Sequence, residues 1–335
     1  MVKDRVSIEG LSAITPINVK ALSSRVLCTG TFYTSGVWQL WFPDDGQLIP
    51  LEVEFSAEGL YFGDVAAQPY DLHLRALDLI AQHASFEKIR RPFVGICDDI
   101  YNLASSMVKV DRVIAHQNVA GGQATRMVIT EIDYMAIQCR SVFDSIQKVI
   151  RFLWSQVHPA EDESKPRCEL PESFGDMVLR KASVRTTEEI VALYAIPEPL
   201  ALVYAQHASF FADLKRMRDV IVLKSSRAPP IVVMEEGAYI HRTIRPFSSI
   251  TAWRDDETKP SDLVPLRPAL GAMIHRTLGA AEELAIVLSQ VIALGPAICP
   301  NHRLYLRTCS VPVLAEVLAD ANQRYMASQS AKSAD

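Results

Sequence analysis

The hydrophobic positions of this chain change their period near residue 70, which separates a β-rich start from a helical remainder. Before that point, Leu51, Val53 and Phe55 alternate with glutamates, the two-residue period of a half-buried strand. Asp44-Asp45-Gly46 precedes them as a hairpin turn signal. The sequence therefore predicts a three-stranded meander with strands over about 37–42, 51–55 and 60–62.

From about residue 70 onward, apolar residues recur every three or four positions, the pattern of amphipathic helices. Pro92 is predicted to separate the first two helices, because proline does not fit a helix interior. The segment 158–171 is charged, contains three prolines and lacks a period, so it predicts a loop. The predicted helices cover about 72–80, 96–114, 128–157, 172–182, 187–195, 200–221, 266–294 and 311–325.

Short β segments and an irregular stretch interrupt the later helices. Strands are predicted over 231–234, 239–244 and around 304–306, and an exposed loop over 246–265. The predicted fold class is α+β, an N-terminal β-meander followed by a mainly helical body. The predicted organisation is a β-rich section 1–66, a helical bundle 67–227, a C-terminal part 228–327 packed on it, and a disordered tail 328–335.

Composition and charge narrow the classes of function. The 335-residue chain carries a net charge of −5, which argues against a dedicated nucleic-acid binder, because neutralising phosphates supplies most of such a protein's affinity. The N-terminus lacks the apolar core of a signal peptide, and the run 284–298 is too short and interrupted to span a bilayer. We therefore expect a cytoplasmic protein without membrane association.

Familiar metal, nucleotide and hydrolase motifs are absent from the sequence. The six cysteines form no C-x-x-C pair and the eight histidines form no H-x-x-x-H pair, so neither a zinc site nor a disulfide framework is predicted. Glycine-rich phosphate loops and the G-x-S-x-G elbow are also missing. The sequence predicts no metal and no cofactor.

The long helix around 200–221 carries the candidate chemistry. At about 100° per residue, Arg218 falls beside Leu214, Met217 and Ile221, the buried stripe of the helix. A guanidinium at such a position needs an acidic or carbonyl partner, or belongs to an interface or a site. Basic residues cluster around it, and the candidate phosphate-binding residues are Lys215, Arg216, Arg218 and Lys224.

Residues 128–226 resemble the HEPN superfamily, the "higher eukaryotes and prokaryotes nucleotide-binding" helical domains. The resemblance rests on Phe143-Asp144-Ser145, on Leu170-Pro171-Glu172-Ser173-Phe174-Gly175, and on the long helix ending in Phe211 through Val222 with Arg218-Asp219. It implies an antiparallel helical bundle and a homodimer. Many members are metal-independent ribonucleases with an arginine, a polar residue, and a histidine that is separated from the arginine by four to six residues.

Arg218 and Asp219 match the first two signature positions and are the candidate catalytic residues, but the histidine window holds Leu223, Lys224 and Ser225. The resemblance thus implies a degenerate active site. The favoured function is a non-catalytic dimerising or interaction module with a protein partner, in the setting of a bacterial stress or defence system that the resemblance implies.

Two other functions stay open at the level of sequence. One is a metal-independent ribonuclease in which a distant histidine, such as His207 three turns before Arg218, replaces the missing one across a dimer. The other is a domain that binds a nucleotide or another phosphate ligand and uses Arg218 as the anion anchor. RNA or a nucleotide is the partner in these two hypotheses.

Overall fold

The computed structural model describes residues 8–22, 24–44, 47–54, 58–120, 122–156, 168–181, 183–223 and 231–332. The first half contains α1 (Ile8–Leu11), β1 (Thr31–Thr34), β2 (Val37–Asp44), β3 (Gln47–Val53), β4 (Gly59–Gly63), α2 (Arg75–His83), α3 (Arg90–Ala115), α4 (Gln117–Ala120) and α5 (Gln123–Gln156).

The second half is also mixed, and its strands have at most five residues. It contains α6 (Phe174–Val178), β5 (Leu179–Arg180), β6 (Ser183–Val184), α7 (Thr187–Tyr194), α8 (Glu198–Leu223), β7 (Ile231–Met234), β8 (Gly237–His241), α9 (Phe247–Ile250), β9 (Leu263–Pro265), α10 (Leu266–Val291), β10 (Arg303–Arg307) and α11 (Val311–Lys332). The predicted α+β class is confirmed.

The N-terminal sheet differs from the predicted three-stranded meander. Its strand order is β10-β4-β1-β2-β3, so β4 pairs with β1 in parallel and with β10, and not with β3. The sequence missed β1 and placed β10 apart from this sheet. Strand pairing over more than 200 residues of sequence leaves no trace in a two-residue period, which reports which face is buried and not which strand lies alongside.

The helices follow the predicted pattern with shifted ends. Pro92 does not separate two helices but lies in the first turn of α3, where a backbone N–H has no partner to lose. The predicted helix 172–182 is cut to α6, because the chain turns into the β5–β6 hairpin with Lys181 at φ 57°. The predicted loop 246–265 includes α9 and β9, and α11 runs to Lys332, through part of the predicted tail.

One continuous hydrophobic core joins the sheet to the helices. Phe32, Phe62 and Leu304 of the sheet belong to the same buried cluster as the apolar faces of α3, α5, α8 and α10. The predicted apolar stripe of α5, from Ile132 through Leu153, is buried along its length. α10 contacts α2, α5, α8, α9 and α11, so the late helix is the central one of the body.

Candidate functional site

The predicted arginine site lies at the end of α8, and most of its side chains lie outside the described residues. The backbone of Arg218, Asp219 and Leu223 is helical, while their side chains, and all of Lys224, lie outside the described residues. Arg216 is exposed and its Nη1 donates to Asp213 Oδ1 at 2.7 Å. This pair between residues three positions apart is typical of a solvated helix face.

The earlier turns of α8 are held rigidly by aromatic packing. Phe211 lies 5.5 Å from Phe143 of α5 and 5.0 Å from Phe174 of α6, measured between ring centroids. The Tyr204 hydroxyl donates to Gln147 Oε1 at 2.6 Å in the same buried layer. These contacts fix α8 about its own axis, and they leave Gln206 and His207 on the side that lines a cleft.

This cleft, called the α8–α10–α11 cleft below, is a hollow into which polar groups from several helices converge. Its volume is about 760 Å³, within the usual range for small-molecule sites. The walls come from α8, from residues 248–252, from α10 and from α11. The polar side chains that line it are Gln206, His207, Ser248, Ser249, Thr251, His275, Arg276, Glu283, Arg324, Tyr325, Ser328 and Gln329.

α10 supplies one whole wall of the cleft. Ala272, His275, Arg276, Gly279 and Glu283 are spaced by three or four residues and so share one face of the helix. The two small residues keep this wall open, and a Cβ built on Gly279 would meet nothing within 4 Å. The opposite face carries the leucines that predicted the helix, so the cleft face is the polar remainder of the same pattern.

His207 and Glu283 form a hydrogen-bonded pair across the cleft. His207 Nε2 lies 2.9 Å from Glu283 Oε2, with the His207 side chain 8% exposed and the Glu283 side chain 52% exposed. Burial lowers the pKa of His207, although Glu283 opposes this, so the imidazole is neutral near pH 7. Because a carboxylate can only accept, the single imidazole proton sits on Nε2 and donates to Glu283.

That arrangement fixes what His207 can do. Its Nδ1 is then a bare acceptor, buried, and no donor among the described residues reaches it. Neither ring nitrogen is available to a ligand, since Nδ1 is buried and Nε2 donates to Glu283. A general base needs a free nitrogen within hydrogen-bond reach of the proton that it takes. His207 therefore orients the Glu283 carboxylate.

Arg276 is the unmatched cation of the cleft. Its guanidinium carbon lies 5.6 Å from the centroid of the Phe210 ring, a cation–π arrangement. Its Nε is buried without a hydrogen-bond partner, and no carboxylate of the described residues lies within ion-pair distance. A half-buried guanidinium without an anion is costly, and a ligand anion would remove that cost.

Arg324, on the opposite wall, is a buried cation that is paired with carboxylates of the protein itself. Its guanidinium makes two hydrogen bonds of 2.6 and 2.7 Å to Glu257, and its Nε donates to Asp320 at 2.7 Å. The Glu257 hydrogen bonds raise the pKa of Arg324 above its ordinary value. These contacts, with a further one to the Ala252 carbonyl at 3.2 Å, hold residues 252–257 against α11.

An aromatic pair lies at the α11 side of the cleft. The His275 and Tyr325 rings are 6.3 Å apart with an interplanar angle of 40°. Burial lowers the pKa of His275, with a hydrogen bond that His275 donates to Asn322 acting in the opposite direction, so this imidazole is also neutral near pH 7. Tyr325 is 49% exposed and offers a flat apolar face to the cleft.

Two further observations concern metals and membranes. Within the described ranges, His, Cys, Asp and Glu side chains form no group of three or more that could hold a metal ion. Among the same residues, none of the helices combines the length and the apolar character needed to cross a bilayer.

Comparisons with known proteins give no guide to function. No protein-family model, no curated protein and no solved structure matches this chain. The resemblance to HEPN domains therefore stays a prediction, and the cleft is interpreted from its own geometry.

Sequence reasoning named His207 but missed its partners. His275, Arg276 and Glu283 stand in the region that was predicted simply as an amphipathic helix. The signal that could have found them is the spacing of His275, Arg276, Gly279 and Glu283 on the polar face, with small residues between the charges. Nothing in the sequence pairs that face with α8 or α11.

Proposed function

We propose that this protein is a non-enzymatic helical module that binds a small phosphate-bearing ligand in the α8–α10–α11 cleft. In this proposal the anion anchor is Arg276, whereas the hypothesis from the sequence used Arg218. The carrying observation is that Arg276 lines a cleft of about 760 Å³ with no carboxylate partner among the described residues. Arginine suits this role, because its planar fork of donors matches phosphate oxygens.

Isothermal titration of the purified protein with inorganic phosphate and pyrophosphate tests the proposal. Arg276→Gln should weaken binding by about tenfold or more, because a charge-assisted hydrogen bond is lost. The matched control is Arg216→Gln, which removes an exposed arginine that pairs with Asp213 and lies outside the cleft. Equal affinities for wild type and Arg276→Gln, or no binding at all, would overturn the proposal.

The same protein preparations distinguish binding from catalysis. We expect end-labelled RNA to stay intact during incubation without metal, because both nitrogens of His207 are engaged or sealed. Cleavage that disappears in Arg276→Gln and in His207→Asn would favour the metal-independent ribonuclease instead.

A second proposal, the dimerising module, is favoured by an apolar patch beside α8. Val184 of β6, Leu193 of α7 and Leu202 of α8 are each more than a third exposed, and α8 contacts both β6 and α7. Exposed apolar side chains on neighbouring elements are typical of interaction sites.

Gel filtration with light scattering tests the dimer. We expect the wild type to dimerise at high concentration and Leu202→Glu to be a monomer. Met127→Glu changes an equally exposed apolar residue on α5 and serves as the control. A monomeric wild type contradicts the dimerising module and leaves the ligand proposal untouched.

A further inference from the structure

The Glu283 carboxylate presents a fixed hydrogen-bond acceptor to the cleft. Its Oε2 is held at 2.9 Å by His207 Nε2, and the side chain is half exposed toward the hollow. A carboxylate has about four acceptor sites, and His207 occupies one of them. The remaining sites face the same space as Arg276, so a ligand that fills the cleft has to match both groups.

The two charges lie two helical turns apart on α10. Seven residues separate Arg276 from Glu283, which gives about 10.5 Å along the helix axis. Gly279, between them, adds no side chain, so the path from one group to the other is open. The cleft thus offers donors to an anion at one end and acceptors to hydroxyl or amine groups at the other.

A ligand that is only an anion satisfies Arg276 and adds no donor to the remaining acceptor sites of Glu283. A sugar phosphate satisfies both, because two neighbouring hydroxyls can donate to one carboxylate while the phosphate accepts from the guanidinium. The phosphate and Glu283 lie toward opposite ends of the cleft, and salt weakens the repulsion between them.

We propose that the ligand is a phosphorylated sugar, with its phosphate on Arg276 and two adjacent ring hydroxyls on Glu283. This inference rests on the proposed phosphate-binding function and adds the chemistry of the part of the ligand that contacts Glu283. Glu283 is the residue that selects the sugar, and His207 is a positioning residue that acts through Glu283. The His275–Tyr325 pair gives a place for a base to stack if the sugar phosphate is part of a nucleotide.

Titration with matched ligands tests the inference. The probes are inorganic phosphate, ribose 5-phosphate, 2-deoxyribose 5-phosphate, which lacks one of the neighbouring hydroxyls, and adenosine 5′-monophosphate. For the wild type, we expect ribose 5-phosphate to bind about tenfold more tightly than either phosphate or the deoxy sugar. For Glu283→Gln, that preference should disappear while the affinity for inorganic phosphate stays unchanged.

Four further variants, at two positions, separate a specific role from a change in folding. His207→Gln keeps an N–H donor at the reach of Nε2 and should retain part of the preference for ribose 5-phosphate, whereas His207→Leu should lose it. Gly279→Leu should abolish binding of all the sugar phosphates by filling the cleft, and Gly279→Ala, with an added methyl in open space, should bind nearly as the wild type does.

The outcomes distinguish the two proposals. Equal affinities for phosphate and ribose 5-phosphate, or a preference that survives in Glu283→Gln, contradict the proposed recognition of a sugar. They leave the proposed phosphate site unaffected. Tighter binding of a zwitterion such as 4-aminobutyrate than of ribose 5-phosphate also overturns it. Absence of all binding overturns the proposed function itself. A gain from adenosine 5′-monophosphate over ribose 5-phosphate identifies a nucleotide as the source of the sugar phosphate.

Discussion

Gln82, at the junction between the N-terminal sheet and α2, and Arg276, in the α8–α10–α11 cleft, are polar side chains that are satisfied to opposite degrees. In the junction, Gln82 donates to the carbonyls of Cys299 and His302 and accepts from the Cys299 N–H. In the cleft, Arg276 and His207 keep buried nitrogens without partners among the described residues. Matched polar groups indicate structure, and unmatched ones beside a hollow indicate a place for a ligand.

Two adjacent residues of α10 make the comparison directly. Glu282 accepts hydrogen bonds from the backbone nitrogens of Arg75 and Ala76, at 3.0 and 2.9 Å, and so caps α2, whose own N-cap residue Leu74 has no side-chain acceptor. Glu283 points into the cleft and binds His207. Neighbours on a helix point in different directions, so one carboxylate serves the fold and the next serves the cleft.

The largest expected effect is the loss of the matched group at the junction. Gln82→Ala leaves the buried Cys299 N–H without its acceptor and removes one of the two donors to the Cys299 carbonyl, so it should lower the free energy of unfolding by about 3 kcal/mol. Urea unfolding monitored by circular dichroism measures this change. Arg276→Gln, at the cleft, should change stability by less than about 0.5 kcal/mol. A larger loss would contradict the difference drawn between the junction and the cleft.

Asp99 sharpens the comparison, because it is an unmatched buried group with no large hollow beside it. Its Oδ2 has no partner among the described residues, and burial raises its pKa to about 6. From about pH 4 to pH 6 the folded protein binds more protons than the unfolded chain, so stability falls as pH rises through this window. Asp99→Asn should remove that fall.

Thermal unfolding of wild type and Asp99→Asn at pH 4, 6 and 8 checks this prediction. The variant should be more stable than the wild type by about 2–3 kcal/mol at pH 8, and the difference should shrink toward pH 4. A constant difference across the three pH values would mean that Asp99 is not the titrating group.

Substitutions of the adjacent glutamates Glu282 and Glu283 should change stability less than Asp99→Asn does, and the two changes should differ from each other. Glu282→Ala removes the cap of α2 and should cost about 1–2 kcal/mol, a typical value for losing a capping side chain. Glu283→Ala should cost less, about 0.5 kcal/mol, because its half-exposed side chain borders the cleft, where water can replace it as the acceptor of the His207 Nε2–H. Parallel urea titrations compare them, and equal costs would contradict the division of roles.

The smallest predicted effect is a gain in stability at the cleft wall. Gly279→Ala places a methyl group in open space within α10 and should stabilise the protein by about 0.5–1 kcal/mol, because alanine loses less backbone entropy in a helix. At Gly271 of the same helix, an added Cβ would lie 2.7 Å from Val317 Cγ1, so Gly271→Ala should destabilise. Melting temperatures measured side by side show whether the signs differ.

Local chemistry let the sequence predict most of the helices and half of the sheet. The start predicted near Thr187 is confirmed within one residue, since Thr186 and Glu189 form a reciprocal capping box. The pairing of β10 with β4 was missed, because it is decided by packing between residues far apart in the chain. The arginine motif of α8 stays a prediction, since the side chains of Arg218 and Asp219 lie outside the described residues.

The sequence by itself determined the fold class, the apolar faces of α5 and α10, and the helical setting of His207, because these depend on residues within a few turns of one another. The tertiary structure alone decided that Glu283 meets His207 over 76 positions and that Arg276 stays without a carboxylate among the described residues. The physical reason is that a helical period fixes which side a residue occupies, whereas the partner on that side is chosen by the packing of whole helices.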